Sequence, residues 1–414
     1  MTKTKTVGLK SSNYFPLGKM KKEYLLSLYE YIKHNDYSGY DIFDGLNAKL
    51  PKYLGLYNSP LFRLFWIQLN KNLPINLRPL FLTPKGFNPK GGALFILGLV
   101  DLYLSEKDPQ YLEDIKYLLT KIFFVRIKTA YGSAWGYNFE WQARAFRVPE
   151  GTPNIVTTVY IAKALLLCQE KLGMDFSGTL KGIKEFILKE MVNFETNDEM
   201  CFNYIPREDA QVHNANLLAA SFLAEYYSLY KEDALIKKIE KSVKFSIKAI
   251  RANFSWPYGT KPFHSWVDNF HTAFNIESLI IIDSILPHLG LKNIIERTTA
   301  YYFDKLFDYD GTAKYYSNKK YPIDIHVLCE VKILLNKLKD LSEKYKINKN
   351  KTRALEIKNN EWLEKFRSPR GYFYSQCKDF FWNKISYIRW GQAWAFYALS
   401  TDLPFSKEEE NKNG

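Results

Sequence analysis

Residues 256–279 read WPYGTKPFHSWVDNFHTAFNIESL. Two histidines, His264 and His271, stand here with Asp268, Trp256, Trp266 and Tyr258, directly ahead of an apolar run that continues as IIIDSIL. Titratable and aromatic side chains packed just before a buried helix are what the mouth of a pocket looks like in sequence. The same layout returns along the chain, and its recurrence decides the fold.

Six apolar runs begin near Gly91, Asn154, His213, His271, Asp324 and Arg389, at spacings of 53 to 65 residues. Lysine-rich amphipathic runs such as LKGIKEFILKEMV and ALIKKIEKSVKFSIKAI lie between them. Helices apolar nearly all round belong inside, and helices with one charged face belong outside. Six inner and six outer helices, with 60–73 taken as the first outer one, predict six hairpins. A repeat of this length closed on itself gives an all-α fold, an (α/α)6 toroid; an open helical solenoid is the competing arrangement. Short aromatic pieces precede the inner helices: WGY at 135–137, FNY at 202–204, WPY at 256–258, KYY at 314–316 and YFY at 372–374. They predict short strand-like segments that gather at one rim if the ring closes. The expected layout is a polar lead-in over 1–19, a single toroid domain over 20–404 and a polar tail over 405–414.

Composition narrows the partners. The chain carries 30 Tyr, 29 Phe and 9 Trp, more than a core needs, and such an excess suits surfaces that stack on sugars, bases or prenyl chains. The formal charge of +14 is spread over lysines of the predicted outer helices. A diffuse basic surface of this kind favours anionic partners in general, and no motif for reading nucleic acid accompanies it. Cys168, Cys201, Cys329 and Cys377 are widely spaced, as reduced thiols are. No signal-peptide pattern and no apolar run of about 18 residues is present. The expectation is a soluble cytoplasmic protein without membrane insertion, of undetermined oligomeric state.

In a toroid the N-terminal ends of the inner helices converge, and their free N–H groups and dipoles favour anionic groups. Asp268 and His271, three apart, can share a helix face, where the carboxylate orients the imidazole for acid–base work. His264 on the preceding loop is a candidate second proton carrier. The competing reading makes Asp268 an N-cap and His271 a packed residue. Candidate substrate-binding residues are Trp135, Tyr137, Trp141, Gln142 and Arg144, then Asn154, His213, Asn214 and Tyr258, and finally Asp324, His326, Arg389, Trp390 and Gln392. Asp41 and Asp44, in the turn YSGYDIFDGLN, are expected to be exposed. No CxxC, HExxH, DDxD, phosphate-cradling glycine loop or dinucleotide fingerprint is present, so neither a metal nor a cofactor is predicted.

The pieces YSGYDIFDGLN, WGYNFEWQAR with PNIVTT, WVDNFHTAFNIESL and YIRWGQAWAFYAL sample the chain from residue 37 to 399. Together they resemble the toroidal proteins of bacterial surface-polysaccharide clusters, whose fold is described as prenyltransferase-like or terpenoid-cyclase-like. More distantly the layout looks like the six-hairpin glycosidases, lyases and sugar epimerases. The resemblance implies a toroid and a role in making or modifying a polysaccharide, and it carries over no particular reaction. The expected partner is an oligo- or polysaccharide, anionic ones included, met by acid–base chemistry, with hydrolysis, elimination and epimerisation all open. A non-catalytic glycan-binding protein and a prenyl- or terpenoid-processing enzyme are the alternatives.

Overall fold

The computed structural model describes residues 17–142 and 147–404; the expected lead-in, apart from its last residues, and the expected tail lie outside them. In chain order the helices are α1 (Leu17–His34), α2 (Lys49–Tyr53), α3 (Pro60–Asn72), α4 (Pro89–Glu106), α5 (Pro109–Phe124), α6 (Ile155–Leu172) and α7 (Ser177–Glu190). They continue as α8 (His213–Tyr230), α9 (Ala234–Lys248), α10 (Asn269–Ile285), α11 (Lys292–Lys305), α12 (Ile325–Asp340), α13 (Lys349–Phe366) and α14 (Trp394–Ser400). A π-helical turn over Ile388–Ala393 leads into α14.

The helices apolar on all sides form the inner ring. Each packs on its two neighbours: α4 on α6, α6 on α8, α8 on α10, α10 on α12, α12 on α14, and α14 back on α4. Charged-face helices cover them from outside, as α5 covers α4, α9 covers α8 and α13 covers α12. The fold is an (α/α)6 toroid with small two- and three-stranded ladders between its helices.

One expectation needs correcting. The sixth outer helix is α1, which packs on α14; segment 60–73 is not part of the ring. Helix α3 buries Trp66 and Ile67 in a separate small cluster with Leu46 and Ala48. Its one-sided pattern is that of an outer helix, but amphipathicity says only that a face is covered, not which element covers it.

Opening N–H groups of the inner helices find their acceptors in another repeat. Ile155 N–H donates to Tyr204 O (3.0 Å), His213 N–H to Tyr258 O (3.1 Å), and Asn269 N–H to Tyr315 O (3.0 Å). Ile325 N–H donates to Ser375 O (3.0 Å), and Ile388 N–H reaches Tyr40 O (2.8 Å). In each case the acceptor belongs to the segment that leads into the following inner helix. Side-chain caps satisfy further donors: Asn88 on α4, Asn154 on α6, Asp268 on α10 and Asp324 on α12.

Asp41 and Asp44 are buried, contrary to expectation, because two guanidinium groups accompany them. Arg389 grips Asp41 through Nε (2.8 Å) and Nη2 (2.7 Å), and Arg78 Nε donates to Asp44 at 2.6 Å. Arg78 also donates to the Asp41 carbonyl and the Tyr387 hydroxyl, tying the loop before α4 to the loop before α14. Burial pushes the Asp44 carboxyl up to about 6 despite Arg78 beside it. Removing one partner of such a pair strands the other charge in a dry site. Arg78→Met is expected to cost about 3–5 kcal/mol in urea unfolding, and combining it with Asp44→Asn should recover much of the loss.

Candidate functional site

The starts of all six inner helices meet around one pocket of about 270 Å³ on the toroid axis. Lys90 comes from α4, Val156 from α6, Asn214 from α8, Phe270, His271 and Phe274 from α10, His326 from α12, and Arg389 and Trp390 from the turn before α14. The aromatic segments supply the upper wall with Tyr137, Tyr204, Tyr258 and Tyr316, so four of the five reach this rim. Tyr372 of the fifth lines a separate cleft. A wider groove of about 750 Å³ lies elsewhere, between Lys49, Phe87, Lys121 and Phe124, and holds no histidine.

Asp268 is both an N-cap and a histidine partner, so the two readings of it are not exclusive. Its Oδ1 accepts the His271 backbone N–H (2.9 Å), while Oδ2 lies 2.6 Å from His271 Nδ1 and accepts from Trp266 Nε1 at 3.1 Å. A carboxylate only accepts, so Nδ1 carries the proton and Nε2 is left as the basic nitrogen.

His326 is held by rings instead of hydrogen bonds. It stacks between Phe270 (4.8 Å, 24°) and Trp394 (4.6 Å, 27°), with Trp390 edge-on at 4.4 Å. Neither ring nitrogen has a partner within the protein. Burial, followed by Lys90, Arg389 and His271, holds its pKa well below the ordinary histidine value, so the ring is neutral. His271 also touches Phe270, with ring centroids 4.1 Å apart. The two imidazoles therefore share one phenylalanine neighbour at the pocket wall.

Lys90 forms the floor, its ammonium 4.3 Å from the Tyr160 ring and 5.0 Å from that of Trp394. Burial and then Arg389 push its pKa well down, against the pull of Glu330. Glu330, one turn below His326 on α12, is fully buried with both oxygens lacking hydrogen bonds within the protein. Burial and neighbouring Glu277 raise it far above the usual carboxylate range, which keeps it neutral. Arg389 lies 4.8 Å from the Tyr137 ring, and Tyr137 shares a 2.9 Å hydroxyl contact with Tyr204. Asn214 Oδ1 is buried and without a protein partner. Among the described residues, no three His, Cys, Asp or Glu side chains come together as a metal site.

Of the residues singled out in sequence, Asp268, His271, Tyr137, Trp141, Asn214, Tyr258, His326, Arg389 and Trp390 line the pocket. The others lie elsewhere, each for a definable reason. Trp135 is fully buried and donates to the Ile122 carbonyl on α5. Gln142 accepts from Arg63. Asn154 caps α6 through the Thr157 N–H. His213 faces outward to Ser246 on α9 at 3.3 Å. His264 sits edge-on to Tyr258 and Trp266, outside the lining. Asp324 accepts from Gln376 and Trp390, so it positions the indole without facing the cavity. Gln392 spans the Phe373 backbone with its amide. Arg144 lies outside the described residues. Sequence reasoning missed Lys90, Lys71, Phe270 and Phe274. For Lys90 the signal was present: a lysine in the first turn of a helix otherwise apolar all round.

No protein-family model and no curated protein matches the chain significantly. Solved structures with the same fold do. A sugar epimerase from a ruminal bacterium superposes with a TM-score of 0.60 at 10% identity, over 76% of this chain and 87% of its own. Cellobiose 2-epimerase from Bacillus thermoamylovorans gives 0.57 at 12%, over 76% and 87%. A possible member of the GH105 family from Salmonella enterica gives 0.59 at 11%, over 95% and 96%. At this identity the similarity is one of fold.

His213 offers a pH test of its outward placement. Burial lowers its pKa from 6.5 to about 4, so the unfolded chain binds the proton more tightly. Its share of stability is complete above about pH 6.5 and is lost as pH falls towards 4, amounting to roughly 3 kcal/mol. Urea unfolding of wild type and His213→Leu between pH 7 and pH 4 should show the variant's stability falling less steeply over that window.

Proposed function

We propose that this protein is a carbohydrate-active enzyme that moves a proton at a sugar carbon next to a carbonyl, in the manner of an epimerase or isomerase. The observation that carries the reading is the chemistry of the pocket wall. It offers two imidazoles, one oriented by Asp268 and one unpartnered, and Asp268 is the only carboxylate among its lining residues. Glycoside hydrolysis uses two carboxyl groups facing one bond, roughly 5 to 9.5 Å apart, and Asp41 and Asp324 are both engaged outside the cavity.

His271 Nε2 removes the carbon-bound proton, with Asp268 stabilising the imidazolium that forms. Oxyanion charge developing on the adjacent carbonyl is met by Arg389 and Lys90 and by the converging helix N-termini. His326, which like His271 contacts Phe270, is the second group able to carry a proton. Asn214 Oδ1 and the tyrosine hydroxyls bind sugar hydroxyls, and the aromatic walls take the ring faces. A volume near the lower end for small-molecule pockets suits one sugar residue at the axis.

The fold neighbours described as sugar epimerase and cellobiose 2-epimerase support this direction. We place the activity in surface-polysaccharide biosynthesis in the cytoplasm, as the resemblance of the motifs suggests; the Arg389 guanidinium, with the Lys71 and Lys90 amines as further donors, favours a substrate with an anionic group. A glycan receptor without turnover is the second reading, since the same walls bind sugar without chemistry.

Incubation with sugars and polysaccharide fragments of the host in heavy water, followed by mass spectrometry and NMR, tests the proposal. Deuterium should enter one carbon position without cleavage. His271→Ala should lower that exchange by about 10²–10⁴, and His326→Ala should lower it while sugar binding persists. Release of a new reducing end without deuterium at carbon would make the protein a hydrolase. Binding with no change of mass in wild type or variants would leave a glycan receptor.

A further inference from the structure

From Gly45 to Val100 the chain holds no aspartate or glutamate, yet it holds seven of the basic residues in a protein whose net charge is +14. Arg63, Arg78 and Lys90 are buried, whereas Lys49, Lys52 and Lys85 are exposed. The same stretch carries an unusual share of exposed apolar surface. Tyr53, Leu54, Leu61, Phe65, Ile75 and Leu80 are 58–87% exposed.

These residues belong to one small layer outside the ring. Leu61 and Phe65, one turn apart, form the outward stripe of α3, while Trp66 and Ile67 on its inward side fill the cluster with Leu46 and Ala48. Phe81, from the loop carrying Ile75 and Leu80, packs edge-on against Trp66 and accepts the Leu50 N–H. The layer borders the pocket, since Phe43 packs on it and Lys71 of α3 lines the cavity.

Scattered exposed leucines are ordinary, but several leucines, an isoleucine and two aromatics on one small layer are not. We propose that this layer docks the protein on an anionic lipid surface, with the pocket mouth beside the bilayer. Charge chooses between lipid and a second copy of the chain. The exposed lysines have no carboxylate neighbour from the segment itself, and of the two carboxylates that border Lys49 and Lys52 across a groove, Glu150 and Glu140, the latter is paired with Arg147. The remaining cationic excess suits phosphate headgroups better than a second copy of the same cationic layer. Apolar side chains beside lysines are the make-up of elements that lie in the headgroup boundary without crossing it. None of the described helices is long and apolar enough to span a membrane. The docking stands independently of whether the pocket turns sugar over.

Flotation of the full chain with vesicles of phosphatidylcholine alone, or of equal parts phosphatidylcholine and phosphatidylglycerol, tests this. The protein should float with the anionic vesicles only, and added salt should weaken it. Lys49→Glu with Lys52→Glu should lower the affinity roughly 30-fold, and Leu61→Asp with Phe65→Asp should abolish it with an unchanged circular dichroism spectrum. If the apolar pair fails to fold, the charge pair decides, because both lysines are exposed. Equal flotation on neutral vesicles, no flotation, or binding indifferent to these substitutions would overturn the proposal. So would a dimer in sedimentation velocity that Leu61→Asp with Phe65→Asp dissolves while lipid binding is absent.

Discussion

The structure depends on how a helix start is satisfied in the interior of a ring. Every inner helix opens with N–H groups that have no partner of their own, and at the toroid axis they are buried. Five of these openings reach a carbonyl in the segment leading into the next inner helix, from Tyr204, Tyr258, Tyr315, Ser375 and Tyr40. One hydrogen bond thus links neighbouring repeats and fixes where the aromatic segment lies. Tyrosines 204, 258 and 316 stand over the pocket because backbone at or beside them caps the helix below.

The same arrangement makes the site electrostatically uneven. Six helix N-termini point at one cavity, and Arg389 adds formal positive charge, while burial and Arg389 disfavour a charge on Lys90. Asp41 pairs with Arg389, while the Lys90 ammonium position is lined by the ring faces of Tyr160 and Trp394, with Glu330 and Arg389 acting on it. His326 stays uncharged in this field, and His271 is coupled to the one carboxylate within reach. The His326 nitrogens and Asn214 Oδ1 are among the buried side-chain atoms without a hydrogen bond within the protein, and both residues line the pocket, where the proposed sugar hydroxyls would meet them.

The layer built from α2, α3 and the following loop sits apart from this logic. It closes no part of the ring, since α1 takes the place its sequence pattern suggested for α3. Freed from covering an inner helix, it keeps apolar side chains outside, lends Lys71 to the pocket and supports Phe43 there. An amphipathic run binds the chain to bury one face and leaves the identity of the covering surface open.

Sequence by itself determined the alternation of helices buried all round with helices charged on one side, and its period favoured a toroid; the packing of α14 back on α4 decided closure against an open solenoid. It also pointed to the Asp268–His271 pair, because residues three apart at one helix end make a local contact, and it marked the polar starts where a pocket forms. Tertiary structure decided which polar starts face the axis. Neighbouring helix-start residues point in different directions: His213 turns to Ser246 while Asn214 lines the pocket, and Asp324 holds Trp390 while His326 enters it. The rotation of a helix about its axis is set by the packing of its neighbours, which no local pattern encodes. Partners distant in sequence were likewise legible only after folding, as with Arg389 and Asp41, 348 residues apart, whose burial requires the ring to close.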